Sequence, residues 1–275
     1  MWLNRFWRWL RPFFIPAPVE RRRPSAGSLA GRYVRSFLFL RFTIGLLGIL
    51  LPLAVVVLDA IVFHGHPGSR IPRGSISAYY YSGFHEVFTV TIGTIAFFLF
   101  AYKFTEKNLD NLFSVIAGLA GMLIPLFPTG PGGDFPQAPK PTPIQHGLGV
   151  GVTQGIHIGA SGVFIGFLGG ICVLFGLREA HRPRHGNNRS GRFWRNFHIG
   201  CAVVIAGAGA WILSTTSLHL IHGPYYSVLI GEWVATFAFG ASWFFKGAEI
   251  HYLFFGHDEP APRGSGPPPD DGVSS

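Results

Sequence analysis

Several ionisable side chains interrupt long apolar stretches of this sequence. Asp59 lies near the end of one stretch, and Glu232 lies near the start of another. His157 opens a third stretch, with Ser161 one helical turn further on and on the same face. An ionisable group inside a membrane is costly unless it is paired or faces water, so these residues are candidates for function.

Together these side chains have the ligand types of a zinc site. A catalytic zinc ion takes three protein ligands and keeps a fourth position for water. His157 with Asp59 and either Glu232 or His85 makes one such set, and a second carboxylate could serve as general base. The same groups could instead carry protons in a coupled transporter, or hold two helices together as an acid–histidine pair. The sequence leaves these alternatives open.

A polar and aromatic run from Ser75 to Ser82 lies between the first two apolar stretches. Its tyrosines are typical of the aromatic belt at a membrane interface. The hydroxyl groups of Ser77 and Tyr80 could also line the mouth of a site. Neither Ser75 nor Ser77 has the flanking glycines of a nucleophile elbow, so the sequence gives no support to a serine hydrolase.

Six apolar segments must position these residues. They run approximately over residues 42–63, 84–102, 112–127, 156–177, 197–214 and 228–245. Each has about the length of a membrane-spanning helix, and the third is the shortest. The composition agrees, since 48% of the residues are hydrophobic and only 13% are charged. The sequence therefore predicts an all-α bundle of six transmembrane helices.

The distribution of basic residues predicts the orientation of this bundle. Of the 22 lysines and arginines, only Arg70, Arg73 and Lys140 fall on one side of the six segments. Basic residues in short loops are retained on the cytoplasmic side of the membrane. We therefore expect a plasma-membrane protein with both termini in the cytoplasm. The candidate residues named above then converge on the outer leaflet.

The net charge of +9 favours contact with the membrane surface over binding of nucleic acid. Most of the charge flanks the apolar segments, where anionic lipid headgroups of the cytoplasmic leaflet are the nearest partner. Cys172 and Cys201 lie inside apolar segments and are expected to be small buried residues, not a disulfide framework.

Three regions follow from these patterns. Residues 1–35 form a basic cytoplasmic segment in which Trp2, Phe6 and Trp9 recur at helical spacing, which predicts a short amphipathic helix at the interface. Residues 36–247 form the transmembrane domain, and residues 248–275 a disordered cytoplasmic tail. The loop 128–151 is rich in Pro and Gly and is also expected to be disordered.

Glycines recur along the fourth segment at spacings of four: Gly155 and Gly159, then Gly162, Gly166 and Gly170. Small residues let helices approach closely in lipid. Packing within one chain is the favoured interpretation. A homo-oligomer formed through the face of Gly159, Gly162 and Gly166 is the alternative.

Four stretches carry a resemblance to a known family: SISAYYYSG, YKFTEKNLDN, LIPLFPT and GEWVATFAFGASWFFKG. They resemble a bacterial family of polytopic membrane proteins described only as a domain of unknown function. The resemblance covers most of the chain between Ser75 and Gly247 and implies several membrane spans without an activity. His85 and Glu86 fall outside the family pattern. The matching positions are Ser75, Ser77, Tyr79, Tyr80, Asp110, His157, Glu232 and Lys246.

A looser similarity links the chain to membrane hydrolases of the alkaline-ceramidase and adiponectin-receptor type, which hold zinc with three histidines. This chain has six segments rather than seven, and its last segment lacks the HxxxH pair of those enzymes. His219 and His222, in a loop, come nearest to that pair. The similarity therefore extends to mechanism only.

We expect a six-span plasma-membrane protein that binds a lipid or small amphiphile in an outer-leaflet pocket. The pocket residues are Asp59, Ser77, Tyr80, His157, Ser161 and Glu232. One alternative is a metal-dependent membrane hydrolase in which His157, Asp59 and Glu232 hold zinc. Another is a structural or assembly protein without a catalytic site.

Overall fold

The computed structural model describes residues 29–63, 71–101, 109–130, 135, 140–180, 188–216 and 225–247. Within these ranges the regular structure is helical and no β-strand occurs. The prediction of an all-α fold is therefore confirmed for the described part. The predicted interfacial helix around Trp2–Trp9, the tail 248–275 and the loop histidines His219 and His222 lie outside the described residues.

Seven α-helices and one short 3-10 helix make up the described chain. The α-helices are α1 (Leu29–Phe63), α2 (His85–Ala101), α3 (Leu109–Leu126), α4 (Pro143–Leu148), α5 (Val150–Ala180), α6 (Asn188–Thr216) and α7 (Ser227–Gly247). The 3-10 helix spans Ser77–Tyr81, between α1 and α2. Because α1 already begins at Leu29, the boundary expected at residue 36 falls inside a helix.

Within the described ranges, five helices are long and apolar enough to cross a membrane, which indicates a multi-pass membrane protein. Their apolar parts are Ser36–Val62, Leu109–Leu126, Val150–Glu179, Arg192–Thr216 and Ser227–Lys246. The remaining predicted segment is α2, which has 17 residues. At ~1.5 Å per residue α2 is about 26 Å long, slightly less than the ~30 Å hydrocarbon core. Of the six long helices, α2 has the fewest described residues, 17 against 18 in α3, although the sequence suggested that the third segment is the shortest.

The six long helices form a closed ring. Each packs against the next in the order α1, α2, α3, α5, α6 and α7, and α7 returns to pack against α1. Buried apolar side chains from all six helices fill the ring, among them Ile44, Phe88, Phe164 and Trp243. This order alternates the chain direction, so the C-terminal end of α1 and the N-terminal ends of α5 and α7 meet at one end of the bundle.

Close helix contacts lie at Gly45 and Gly118 rather than at the α5 glycines 155–166. A Cβ added at Gly45 would clash with the Phe244 amide nitrogen, and one at Gly118 would lie 2.6 Å from the Phe100 amide nitrogen. These glycines bring α1 close to α7 and α2 close to α3.

The prediction that the α5 glycines pack against helices of the same chain is wrong for most of the helix. Gly155, Gly159, Gly162 and Gly166 have no atom within 4 Å of an added Cβ, so this face points away from the bundle. Of the five glycines in the predicted spacing, only Gly170 contacts a neighbour, the ring of Phe113. The glycine spacing predicted a small-residue face but could not predict which way that face turns.

The loop after α3 is also more ordered than expected. Residues 140–148 are described, and α4 begins with a capping box in which Thr142 and Gln145 bond reciprocally. Gly149, with φ of 87°, ends α4 and allows the turn into α5. Prediction of disorder for this part of the loop was wrong because α4 is anchored by Gln145, which is buried.

Candidate functional site

The loop 71–84 gathers the polar side chains at one end of the bundle, here called the Ser77 end. Its 3-10 helix begins where the Ala78 amide donates to Ser75 Oγ at 3.0 Å, and it ends where Ser82 Oγ donates to the Tyr79 carbonyl at 2.8 Å. Serines favour such local bonds, which is why this serine-flanked tyrosine run forms a compact turn. The side chains of three surrounding helices then reach into the loop.

His157 on α5 forms a hydrogen bond with Ser77 in this loop. His157 Nδ1 lies 3.1 Å from the Ile124 carbonyl and 3.0 Å from the Phe127 carbonyl, both near the end of α3. Carbonyl oxygens only accept, so Nδ1 carries the proton and Nε2 is the acceptor. Ser77 Oγ, 2.9 Å from Nε2, therefore donates to the imidazole. Both residues are buried, with Ser77 8% and His157 4% exposed.

Glu232 on α7 binds the backbone at the start of the same 3-10 helix. Its Oε2 accepts from the Ile76 amide at 2.5 Å, and the Ser77 amide also faces this carboxylate. A carboxylate at the start of a helical turn satisfies amides that have no partner within the turn. In return, the Leu229 amide in the first turn of α7 donates to the Gly74 carbonyl at 2.9 Å. The loop and α7 thus bond to each other in both directions.

Asp59 on α1 pairs with Arg73 in the loop. The distance from Arg73 Nη2 to Asp59 Oδ1 is 3.0 Å, and the two side chains are 2% and 0% exposed. The Arg73 guanidinium also lies over the ring of Phe135 at 4.2 Å. A buried carboxylate is costly without a cation, and Arg73 supplies one.

Two tyrosines complete the Ser77 end. Tyr81 Oη donates to the Thr129 carbonyl at 2.6 Å and accepts from Gln145 Nε2 at 2.7 Å, which ties α4 to the loop. Burial raises the pKa of Tyr81, although the bond from Gln145 acts in the opposite direction. Burial also raises the pKa of Tyr80. Both phenols therefore remain hydrogen-bond donors at neutral pH.

Tyr80 differs from Tyr81 because it is half-buried and its hydroxyl has no hydrogen-bond partner within the described residues. Its ring lies edge-on against the His85 ring at 4.2 Å, and His85 Nδ1 contacts the Tyr80 carbonyl at 2.7 Å. His85 thus holds the loop, a role in packing, while Glu86 is exposed.

The six predicted site residues lie at the Ser77 end, but only Ser77, His157 and Glu232 are linked to one another. Ser77 links His157 through its hydroxyl and Glu232 through its backbone. Asp59 belongs to the ion pair with Arg73, next along the loop. Ser161 is half-buried one turn beyond His157 and forms no hydrogen bond within the described ranges.

The zinc set of His157, Asp59 and Glu232 is not brought together by this geometry. His157 bonds Ser77 and two backbone carbonyls, Asp59 pairs with Arg73, and Glu232 accepts from amides of the loop. Among the residues the structure describes, no three His, Cys, Asp or Glu side chains form a group able to hold a metal ion.

Sequence reasoning missed Arg73 and Gln145. Arg73 served only as an orientation marker, yet a carboxylate as deep as Asp59 requires a cation, and only three basic residues were expected on that side. Gln145 had a local signal, because Thr142, Pro143 and Gln145 follow the capping-box pattern with proline at the first helical position.

The opposite end of the bundle, here called the Lys246 end, carries a second polar cluster. Ion pairs join Asp110 on α3 to Arg178 on α5, and Glu179 on α5 to Lys246 on α7. A further bond joins His198 Nδ1 on α6 to Ser242 Oγ on α7 at 2.8 Å. The described contacts at this end run from helix to helix.

Comparisons with protein-family models, with curated proteins and with solved structures find no match. The resemblance to a bacterial membrane-protein family therefore stays a prediction.

Proposed function

We propose that this chain binds a lipid or small amphiphile at its Ser77 end. The observation that carries the proposal is the buried hydrogen bond from Ser77 Oγ to His157 Nε2. This polar pair lies where apolar helices end. A ligand with a polar head and an apolar tail can therefore meet polar groups and hydrocarbon at the same place.

The surroundings of the pair suit such a ligand. Apolar side chains at this end are exposed on three helices, including Ile61 on α1, Ile158 on α5 and Ile230 on α7. In a bilayer these side chains contact acyl chains. The half-buried Tyr80 offers a hydroxyl donor to a head group at the same level.

The proposed topology has six spans, with both termini in the cytoplasm of a bacterial cell and the Ser77 end in the outer leaflet of the plasma membrane. The positive-inside distribution of Lys and Arg supports this orientation, and α2 supplies the sixth span if the bilayer thins slightly around it. Cysteine labelling tests it. With Cys172 and Cys201 replaced by Ala, a cysteine at Lys140 should react with an impermeant maleimide on intact cells, and one at Arg192 should react only after lysis.

Two partners accompany this topology. Anionic headgroups of the cytoplasmic leaflet would contact the basic flanks of the helices, and nucleic acid is not an expected partner. The outward face of Gly159, Gly162 and Gly166 would join two copies of the chain. Gly162→Leu should then lower the mass measured by light scattering in detergent to that of a monomer. An unchanged mass would remove the oligomer from the proposal.

Photo-crosslinking tests the binding proposal. Purified protein would be incubated with a photoreactive, alkyne-tagged monoacylglycerol in detergent and irradiated, and the labelled peptides would be mapped by mass spectrometry. We expect labels on the loop 71–84 and on the first turns of α5, competed by unlabelled monoacylglycerol.

A matched control comes from the other end of the bundle. His157→Gln should abolish the competed labels, because the oxygen and nitrogen of the glutamine amide share one carbon and cannot occupy the positions of both imidazole nitrogens. His198→Gln, which alters a comparably buried histidine bonded to a serine, should leave them unchanged. Labels distributed along all helices, or labels unaffected by His157→Gln, would show that no binding site exists at the Ser77 end.

A further inference from the structure

We infer that Ser77 is a nucleophile, activated by His157, that attacks the acyl ester of an amphiphile bound at the Ser77 end. This inference rests on the proposed function, because the ester must first bind there. It adds a reaction, ester hydrolysis, and a substrate class, acylated amphiphiles.

The first support is the direction of the hydrogen bond. Because the Ile124 and Phe127 carbonyls fix the proton on His157 Nδ1, the lone pair of Nε2 points at the Ser77 hydroxyl. A hydroxyl that donates to a base, itself oriented by a third group, is the arrangement that activates serine nucleophiles. Here two backbone carbonyls take the orienting position that a carboxylate has in serine-protease triads.

The second support is the stability of the charged intermediate state. When Ser77 loses its proton to Nε2, the imidazole becomes a cation whose Nδ1–H still points at two carbonyl oxygens. These dipoles stabilise the cation without a change of position, which is the requirement for electrostatic assistance. The ring therefore need not rotate between accepting and returning the proton.

The third support is the fixed backbone of Ser77. Glu232 holds the Ile76 and Ser77 amides, so the serine does not depend on the loop alone for its position. Glu232 is accordingly a positioning residue. In a 3-10 helix side chains three apart eclipse, so Ser77 and Tyr80 share one face. The Tyr80 hydroxyl can then donate to the oxyanion that forms on the substrate.

The reaction proceeds in two balanced steps. Ser77 Oγ bonds to the ester carbonyl carbon, the carbon–alkoxide bond breaks, and the serine proton passes through Nε2 to the leaving alcohol. Water then attacks the acyl-serine and gives a proton to Nε2, which returns it to Ser77 Oγ as the fatty acid departs. Water is the only co-reactant, and no electron transfer occurs.

An alkyl fluorophosphonate tests the inference, because it phosphonylates activated serines with loss of fluoride. We expect the wild-type protein to be labelled on Ser77, as mapped by peptide mass spectrometry. His157→Gln should slow labelling by at least about 100-fold, the usual contribution of a general base. Ser77→Ala and the nearly isosteric Ser77→Cys should both lose this label. Ser242→Ala should be labelled at the wild-type rate.

The same preparations separate failure of the inference from failure of the binding proposal. Each variant would be checked for a monodisperse elution profile and for competed crosslinking to the photoreactive monoacylglycerol. Wild-type protein that binds the monoacylglycerol but is not labelled on Ser77 would overturn the nucleophile and leave the binding site standing. Protein that shows neither competed crosslinking nor labelling would overturn both. Equal labelling rates in wild type and His157→Gln would also overturn the inference.

Discussion

Two buried histidine–serine pairs stand at opposite ends of this bundle, and they differ in what surrounds them. His157 bonds a serine in a loop, while its other nitrogen is fixed by two carbonyls. His198 bonds Ser242 near the C-terminal end of α7 and is packed among aromatic rings, of which Phe197 is 5.4 Å and Phe175 5.7 Å away. A histidine–serine bond alone therefore does not define a site.

The difference is in how the serine is held. The backbone amide of Ser242 belongs to a long helix, so its position follows from helix packing. Ser77 lies in a short 3-10 helix that Glu232, Asp59 through Arg73, and His157 all anchor. Polar groups at the Ser77 end thus converge on one loop, and the described ion pairs and hydrogen bonds at the Lys246 end join helices in pairs. The arrangement at the Ser77 end brings reactive side chains together, and the one at the Lys246 end stabilises the packing of helices.

The largest expected effect comes from the buried ion pair of the Ser77 end. Asp59→Ala removes the carboxylate that faces a guanidinium only 2% exposed, and should lower the free energy of unfolding by about 3–5 kcal/mol. Asp110→Ala at the Lys246 end should cost less, because Arg178 is 22% exposed and can turn toward headgroups. Thermal unfolding in detergent compares the two variants. A larger loss for Asp110→Ala would reverse the comparison.

The two serines should separate stability from binding. Ser77→Ala and Ser242→Ala each leave a buried histidine nitrogen without its hydroxyl partner, and each should cost about 1–3 kcal/mol. Only Ser77→Ala should also weaken binding of a monoalkylglycerol ether, which cannot be hydrolysed, by about tenfold or more, which corresponds to one lost hydrogen bond of ~1.4 kcal/mol. Parallel unfolding and binding titrations would measure both effects. Equal losses of binding in the two variants would remove the distinction between the ends.

The smallest effect is expected at the outer edge of the loop. Gln145→Ala removes the capping box of α4 and the bond to Tyr81, and should cost about 0.5–2 kcal/mol locally. Hydrogen–deuterium exchange should rise in residues 142–148 and 77–81 and stay unchanged at the Lys246 end. The exposed Gln154 provides a control, since Gln154→Ala should alter neither segment. Faster exchange confined to residues 142–148 would show that α4 does not hold the loop.

Much of the fold could be predicted because a bilayer restricts a chain to few architectures. Apolar segment length identified the long helices, and alternating chain direction put Asp59, His157 and Glu232 at one end. The facing of the α5 glycines could not be predicted, because spacing does not say which neighbour a helix turns toward.

The sequence predicted which residues lie at the site, but it did not predict which of them form hydrogen bonds with one another. Helical periodicity has no bearing on the path of the loop 71–84, so nothing in the sequence placed the Ser77 hydroxyl against His157 or the Ile76 amide against Glu232. The partner of Asp59 could have been found by elimination, since a buried carboxylate needs one of the few basic residues on its side. Tertiary contacts of irregular segments decided the rest.

A binding titration of a defined amphiphile against both histidine–serine pairs tests the central claim most directly. Native mass spectrometry in detergent would measure the dissociation constant of a monoalkylglycerol, whose ether bond cannot be hydrolysed, for wild type, His157→Gln and His198→Gln. We predict saturable binding of one ligand per chain in wild type, at least a tenfold weaker constant in His157→Gln, and the wild-type constant in His198→Gln. Binding that is unsaturable, or equally weakened by both substitutions, would contradict a ligand site at the Ser77 end.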